Sequence, residues 1–218
     1  MGKKTALIAG STGLIGNELT KLLLKEDYYG KVKVAGRNNP GIEHPKLESI
    51  IINFESLPDY KEQLQANDVF CCLGTTMKKA KSREAFYKVD YTFPFELAKV
   101  AESFSAEQFL LVTAMGAGKN SKIYYNSVKG QVEESISAME FESVHIFRPS
   151  LLLGKRQELR LGERIGQIVS RLIDPLMVGP LNKYRAVKAS AVANAMLSIA
   201  KAGEKGVYYY ENDQILAF

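Results

Sequence analysis

Seven residues, Gly10-Ser11-Thr12-Gly13-Leu14-Ile15-Gly16, constrain this chain more than any other stretch. The apolar run 6–9 precedes them, and Leu14, Ile15, Leu19, Leu22 and Leu23 follow at helical spacing. A strand therefore turns through glycines into a helix. Glycine permits a tight turn and a close backbone approach, and the start of a helix offers free N–H groups. Such a turn suits a phosphate, and in this strand–turn–helix setting the pyrophosphate of a dinucleotide. The spacing is G-x-x-G-x-x-G, with no Lys-Ser/Thr pair to make a Walker loop. A P-loop ATPase is set aside.

Six further β-rich runs, 32–35, 50–54, 69–73, 109–113, 144–147 and 207–210, alternate with stretches of helical period. The first six of the seven are nearly continuous in apolar residues, as strands become when helices cover both faces of a parallel sheet. Phe86, Val89, Phe93, Leu97, Val100 and Ala101 mark one helix, and Val128, Val132, Ile136 and Met139 another. The pattern predicts an α/β chain: a Rossmann-like, doubly wound, mainly parallel sheet of about seven strands, helices on both faces. No linker or repeat divides it, so residues 1–218 read as a single domain. The segment 155–187 interrupts the alternation with a basic stretch, a weak helix at 162–173, then Pro175, Gly179 and Pro180. It reads as a small substrate or lid insertion over the carboxyl ends of the strands.

Composition removes several classes. No apolar run approaches the ~20 residues of a membrane span, and the N-terminus has too short an apolar stretch for a signal peptide. A cytoplasmic protein is expected, without a membrane partner. The net charge of +5 is not gathered around any recognition motif, so nucleic acid is not expected either. Cys71 and Cys72 are adjacent within an apolar run and cannot staple distant segments. His44 and His145 stand alone, and no metal site is expected.

The end of the second strand bears on the ligand. An acidic residue there would hold the ribose 2′-hydroxyl of NAD, whereas arginine accommodates the 2′-phosphate of NADP. The chain has Arg37 at this point, which favours NADP(H) over NAD(H). Tyr-x-x-x-Lys occurs three times, as Tyr29/Lys33, Tyr125/Lys129 and Tyr184/Lys188. Only Tyr125/Lys129 opens a helix soon after a strand ending in a hydroxyl residue, Thr113. Residues i and i+4 share a helix face, so Lys129 can place its ammonium near the Tyr125 phenol and favour proton release. Tyr125 would then protonate a carbonyl oxygen as hydride arrives, with Thr113 holding that oxygen.

These features resemble the short-chain dehydrogenase/reductases, and more closely the atypical members grouped with the HIV Tat-interacting protein and its bacterial relatives. Cys72-Leu73-Gly74-Thr75-Thr76, Tyr87-Lys88-Val89-Asp90, Gly116-Ala117, residues 125–130, Phe147-Arg148-Pro149 and residues 156–160 carry the resemblance. It implies that Ser11, Thr12, Gly13, Leu14 and Ile15, beside Gly10, touch the cofactor phosphates, and that Arg37 and Asn38 meet the 2′-phosphate. Leu73 and Gly74 would line the adenosine side, and Leu152 would pack near the nicotinamide. Arg160 would reach the cofactor from the insertion, and Lys129 would anchor a ribose. The standard Asn-Ala-Gly is replaced by Cys72-Leu73-Gly74, and the usual catalytic serine by Thr113. Two functions stay open: an NADPH-dependent oxidoreductase acting on a small carbonyl substrate, and a non-catalytic NADPH-binding regulator working through a protein partner or a homo-oligomer.

Overall fold

The computed structural model describes residues 2–153 and 183–218. All seven expected strands form, as β1 (Lys4–Ala9), β2 (Tyr29–Gly36), β3 (Leu47–Ile51), β4 (Asp68–Cys71), β5 (Gln108–Val112), β6 (Ser143–Arg148) and β9 (Gly206–Glu211). They make one parallel sheet in the order β3-β2-β1-β4-β5-β6-β9. A two-residue ladder, β7 (Leu152–Leu153) with β8 (Val187–Lys188), stands apart. The insertion expected at 155–187 and its weak helix lie almost wholly outside the described residues.

Strand alternation explains why the sheet is wound on both faces. Ala6 and Ile8 of β1 point into one core with α1 (Leu14–Lys25) and α7 (Ala189–Ala202). Leu7 and Ala9 point into another, built with α5 (Phe93–Ser103) and α6 (Tyr124–Ser137). Each β1 residue from Ala6 to Ala9 is fully buried. Burial of this kind contributes about 25 cal/mol per Å² of apolar surface, an upper figure because unfolded chains already hide some of it.

Two local expectations are corrected. The run 50–54 was expected as the third strand, but the strand is Leu47–Ile51. The Asn53 side chain accepts from the Glu55 N–H and starts a 3-10 stretch, Phe54–Tyr60, which leads into the short α2 (Lys61–Leu64). The long helical period over 86–101 is also broken. After the short α3 (Met77–Ala80), it becomes α4 (Arg83–Tyr87), a π-helical turn (Lys88–Thr92), and then α5. Pro94 explains the widening: it has no N–H for the carbonyl four residues back, that of Asp90, and its ring crowds it. The Phe93 N–H bonds instead to the Lys88 carbonyl, five residues back. Turns of this type often mark working sites.

Candidate functional site

The strand order reverses at β1, whose neighbours are β2 and β4. Ligands of open α/β sheets bind in the crevice at the carboxyl ends of such strands. The sheet brings the candidate residues to this edge in one row. Gly10 through Ile15 leave β1, Arg37 and Asn38 leave β2, Leu73 and Gly74 leave β4, and Thr113 leaves β5. Leu152 follows β6, packed against the α1 core, and Tyr125 and Lys129 stand on α6. Arg160 lies outside the described residues.

The three loop glycines have different jobs. Gly10 has φ +89, and a Cβ there would lie 2.6 Å from the Cys72 carbonyl oxygen. A Cβ on Gly16 would lie 2.2 Å from the Gly10 carbonyl oxygen. Both permit backbone segments to touch. Gly13 is the exposed N-cap of α1, in ordinary extended conformation, with no side-chain cap; the first turn carries no acidic residue. The Ser11 side chain is buried, and Ile15 belongs to the core, so Ile15 faces the crevice through its N–H alone.

Tyr125 is half-buried, its ring 5.4 Å from that of Phe86 on α4. Lys129, one turn on, is 5% exposed, and its Nζ lies 2.8 Å from Oδ1 of the fully buried Asp90. Burial pulls the Lys129 ammonium down, but Asp90 and Tyr125 outweigh it and hold the lysine above its ordinary value. Asp90 also accepts from the Thr75 N–H at 2.9 Å. Sequence reasoning missed Asp90. Its signals were a lone acid within an apolar helical stripe and Pro94 four residues later.

Thr113 takes a different partner from the one expected. Its hydroxyl donates to Oε1 of the buried Glu133 at 2.5 Å, and its N–H to the Phe147 carbonyl at 2.8 Å. Arg148 holds the same carboxylate in a two-point clasp, Nε at 3.1 Å and Nη2 at 2.6 Å, and reaches Glu211 with Nη1 at 2.9 Å. These bonds lift Arg148 further above its ordinary value. The other Tyr/Lys pairs are engaged elsewhere: Tyr29 donates to Asp68, Lys33 to the Gln63 and Gln65 carbonyls, and Tyr184 lies under Lys183.

A family profile, NAD dependent epimerase/dehydratase, matches residues 6–209. The chain belongs to that family. Protein HTATIP2 of Rattus norvegicus is 33% identical over 99% of this chain and 89% of its own length. A Candida albicans protein named FMP52, mitochondrial, is 30% identical over 93% and 90%. Among solved structures, the Bordetella bronchiseptica enzyme WbmH in complex with NAD+ superposes with a TM-score of 0.72 at 14% identity. It covers 96% of this chain and 76% of its own. These relatives bear out the resemblance to atypical short-chain dehydrogenase/reductases and the Rossmann-like fold. An epimerase/dehydratase-family chain of this kind has an NAD(P)-binding, oxidoreductase-type function. The cytoplasmic expectation is corrected: several fungal relatives are named mitochondrial proteins. No helix among the described residues is long and apolar enough to cross a membrane.

Proposed function

We propose that this chain is an NADPH-dependent oxidoreductase that reduces a small carbonyl compound with Tyr125 as the proton donor. The observation that carries this reading is Tyr125 and the buried Lys129 one turn apart on α6, at the strand edge that also holds the uncapped start of α1. The residues present fit a dinucleotide. Gly13 leaves the α1 N-terminus uncovered, and the N–H groups of the first turn would bind the pyrophosphate. Arg37 and Asn38 are exposed, and Arg37 has no ion-pair partner among the described residues, so its guanidinium is available to a 2′-phosphate. Leu73, Gly74 and Leu152 would line the cofactor and Lys129 would bind a ribose hydroxyl. When bound, the reduced nicotinamide supplies the hydride. Tyr125 gives its phenolic proton to the carbonyl oxygen, and the resulting phenolate recovers a proton from solvent.

Arg37 sets the first test. The charge-assisted contact is worth ~1.5–3 kcal/mol, or roughly one to two decades of affinity. Titration of the wild type is expected to show NADPH bound more tightly than NADH, and Arg37→Ala is expected to erase that preference. Equal wild-type affinities would defeat the NADP assignment.

Gly13 provides a second test, separable from folding. Among the described residues its Cβ would meet only the Gly10 carbonyl oxygen, at 3.2 Å, so Gly13→Val is expected to fold. The side chain would cover the first-turn N–H groups and raise the Kd for NADPH at least about tenfold, ~1.4 kcal/mol. Thermal unfolding near the wild-type midpoint with unchanged NADPH affinity would contradict the reading. Gly10→Ala and Gly16→Ala instead place a Cβ against backbone and are expected to destabilise the fold.

One observation favours a second reading, an NADPH-binding regulator without turnover. The Thr113 hydroxyl is held by Glu133, so it is not directed at a substrate oxygen. A screen of carbonyl compounds for NADPH oxidation separates the two: turnover supports the first, and none across the screen supports the second.

A further inference from the structure

We propose that Asp90 is the counter-ion of Lys129 and, acting through it, sets the pH at which Tyr125 exchanges its proton. This rests on reading Tyr125 and Lys129 as the reactive pair. Asp90 is a positioning residue, since nothing requires it to touch substrate.

The geometry comes from three elements. The π-helical turn before Pro94 carries Asp90, which is fully buried. Its Oδ1 lies 2.8 Å from Lys129 Nζ on α6, and its Oδ2 accepts the Thr75 N–H from the loop after β4. With both side chains withdrawn from water, their attraction is little screened. Among the described residues, the other titratable groups acting on Nζ are Tyr125, on the same helix, and Cys71, on β4. Burial pushes the Cys71 thiol up to about 12, so it stays neutral. Burial pushes the Asp90 carboxyl above its ordinary value, against the pull of Lys129 and the Thr75 N–H. Once that carboxyl is ionised, one positive and one negative charge lie beside Tyr125 together.

A lone ammonium would strongly favour the phenolate. With a carboxylate 2.8 Å away, most of that field is offset. Lys129 is left to orient the phenol and the ribose, fixed in place by Asp90 and through it by the Thr75 loop. A carboxylate here thus shifts the working range of Tyr125 toward higher pH than a neutral amide would.

The test uses tyrosinate absorbance in cofactor-free protein. Subtracting the curve of a matched Tyr125→Phe protein isolates this phenol from the other tyrosines. Asp90→Asn is expected to lower the Tyr125 midpoint by about one pH unit or more. The alkaline limb of single-turnover NADPH oxidation, where the phenol has lost the proton it must donate, is expected to move down with it. An unchanged or raised midpoint overturns the proposal. If Asp90→Asn does not fold, Asp90→Asn with Lys129→Met removes both charges and is expected to keep the wild-type midpoint. A displacement of a unit or more in that double variant overturns it equally. If no carbonyl compound is turned over, the oxidoreductase reading fails, while the phenol titration still decides the role of Asp90.

Discussion

Tyr125→Phe is expected to slow carbonyl reduction by about 10²–10⁴-fold, the usual cost of losing a positioned proton donor. The change removes one oxygen and leaves the ring, so the contact with Phe86 at 5.4 Å persists. The Lys129–Asp90 pair does not depend on the hydroxyl, and cofactor affinity should change little. Single-turnover NADPH oxidation, with whichever compound the screen identifies, measures the effect. A full rate in the variant would remove Tyr125 from the chemistry. Tyr184→Phe is the appropriate control, since that ring is exposed. Tyr29→Phe is not a neutral control. It strips the buried Asp68 of a 2.7 Å donor and is expected to cost about 1–3 kcal/mol of stability without touching turnover.

The second large effect lies away from the site, in the acid limb of stability. His145 on β6 is fully buried, stacked on Tyr208, with Nδ1 3.1 Å from the Tyr210 hydroxyl. Its Nε2 has no hydrogen-bond partner among the described residues, and burial pushes the imidazole down to about 4. The unfolded chain takes up this proton near pH 6.5, whereas the folded one resists until about pH 4. Stability is therefore full above pH 6.5 and falls as pH drops toward 4. The loss from this one group is about 3 kcal/mol. Denaturant titrations at pH 7 and pH 4 are expected to show a smaller acid loss in His145→Phe by about that amount. Equal losses in the two proteins would show that His145 is not responsible.

What the sequence makes legible is local, or repeats with a strand or helix period. The glycine loop works through neighbours three residues apart, and Tyr125 and Lys129 through one helical turn. The strand candidates are apolar runs that the two cores require. Pairings between distant positions are not legible in this way. Asp90 reaches Lys129 only because the π-helical turn ahead of α5 lies against α6. Thr113 looks like a substrate-facing hydroxyl until α6 brings Glu133 against the end of β5. The run 50–54 misplaces its strand because the pattern of apolar residues does not register the Asn53 cap that ends the strand.

The widened turn at Lys88–Thr92 also puts two helical segments out of phase. Successive α-helical residues are ~100° apart around the axis, so one extra residue rotates everything after it by about that angle. Phe86 can then face Tyr125 while Leu97 and Ala101 face the sheet core. Deleting a single residue between Lys88 and Asp90 would restore the phase and swing the carboxylate off Lys129. Relatives that lack the extra residue should therefore carry no acid at this place.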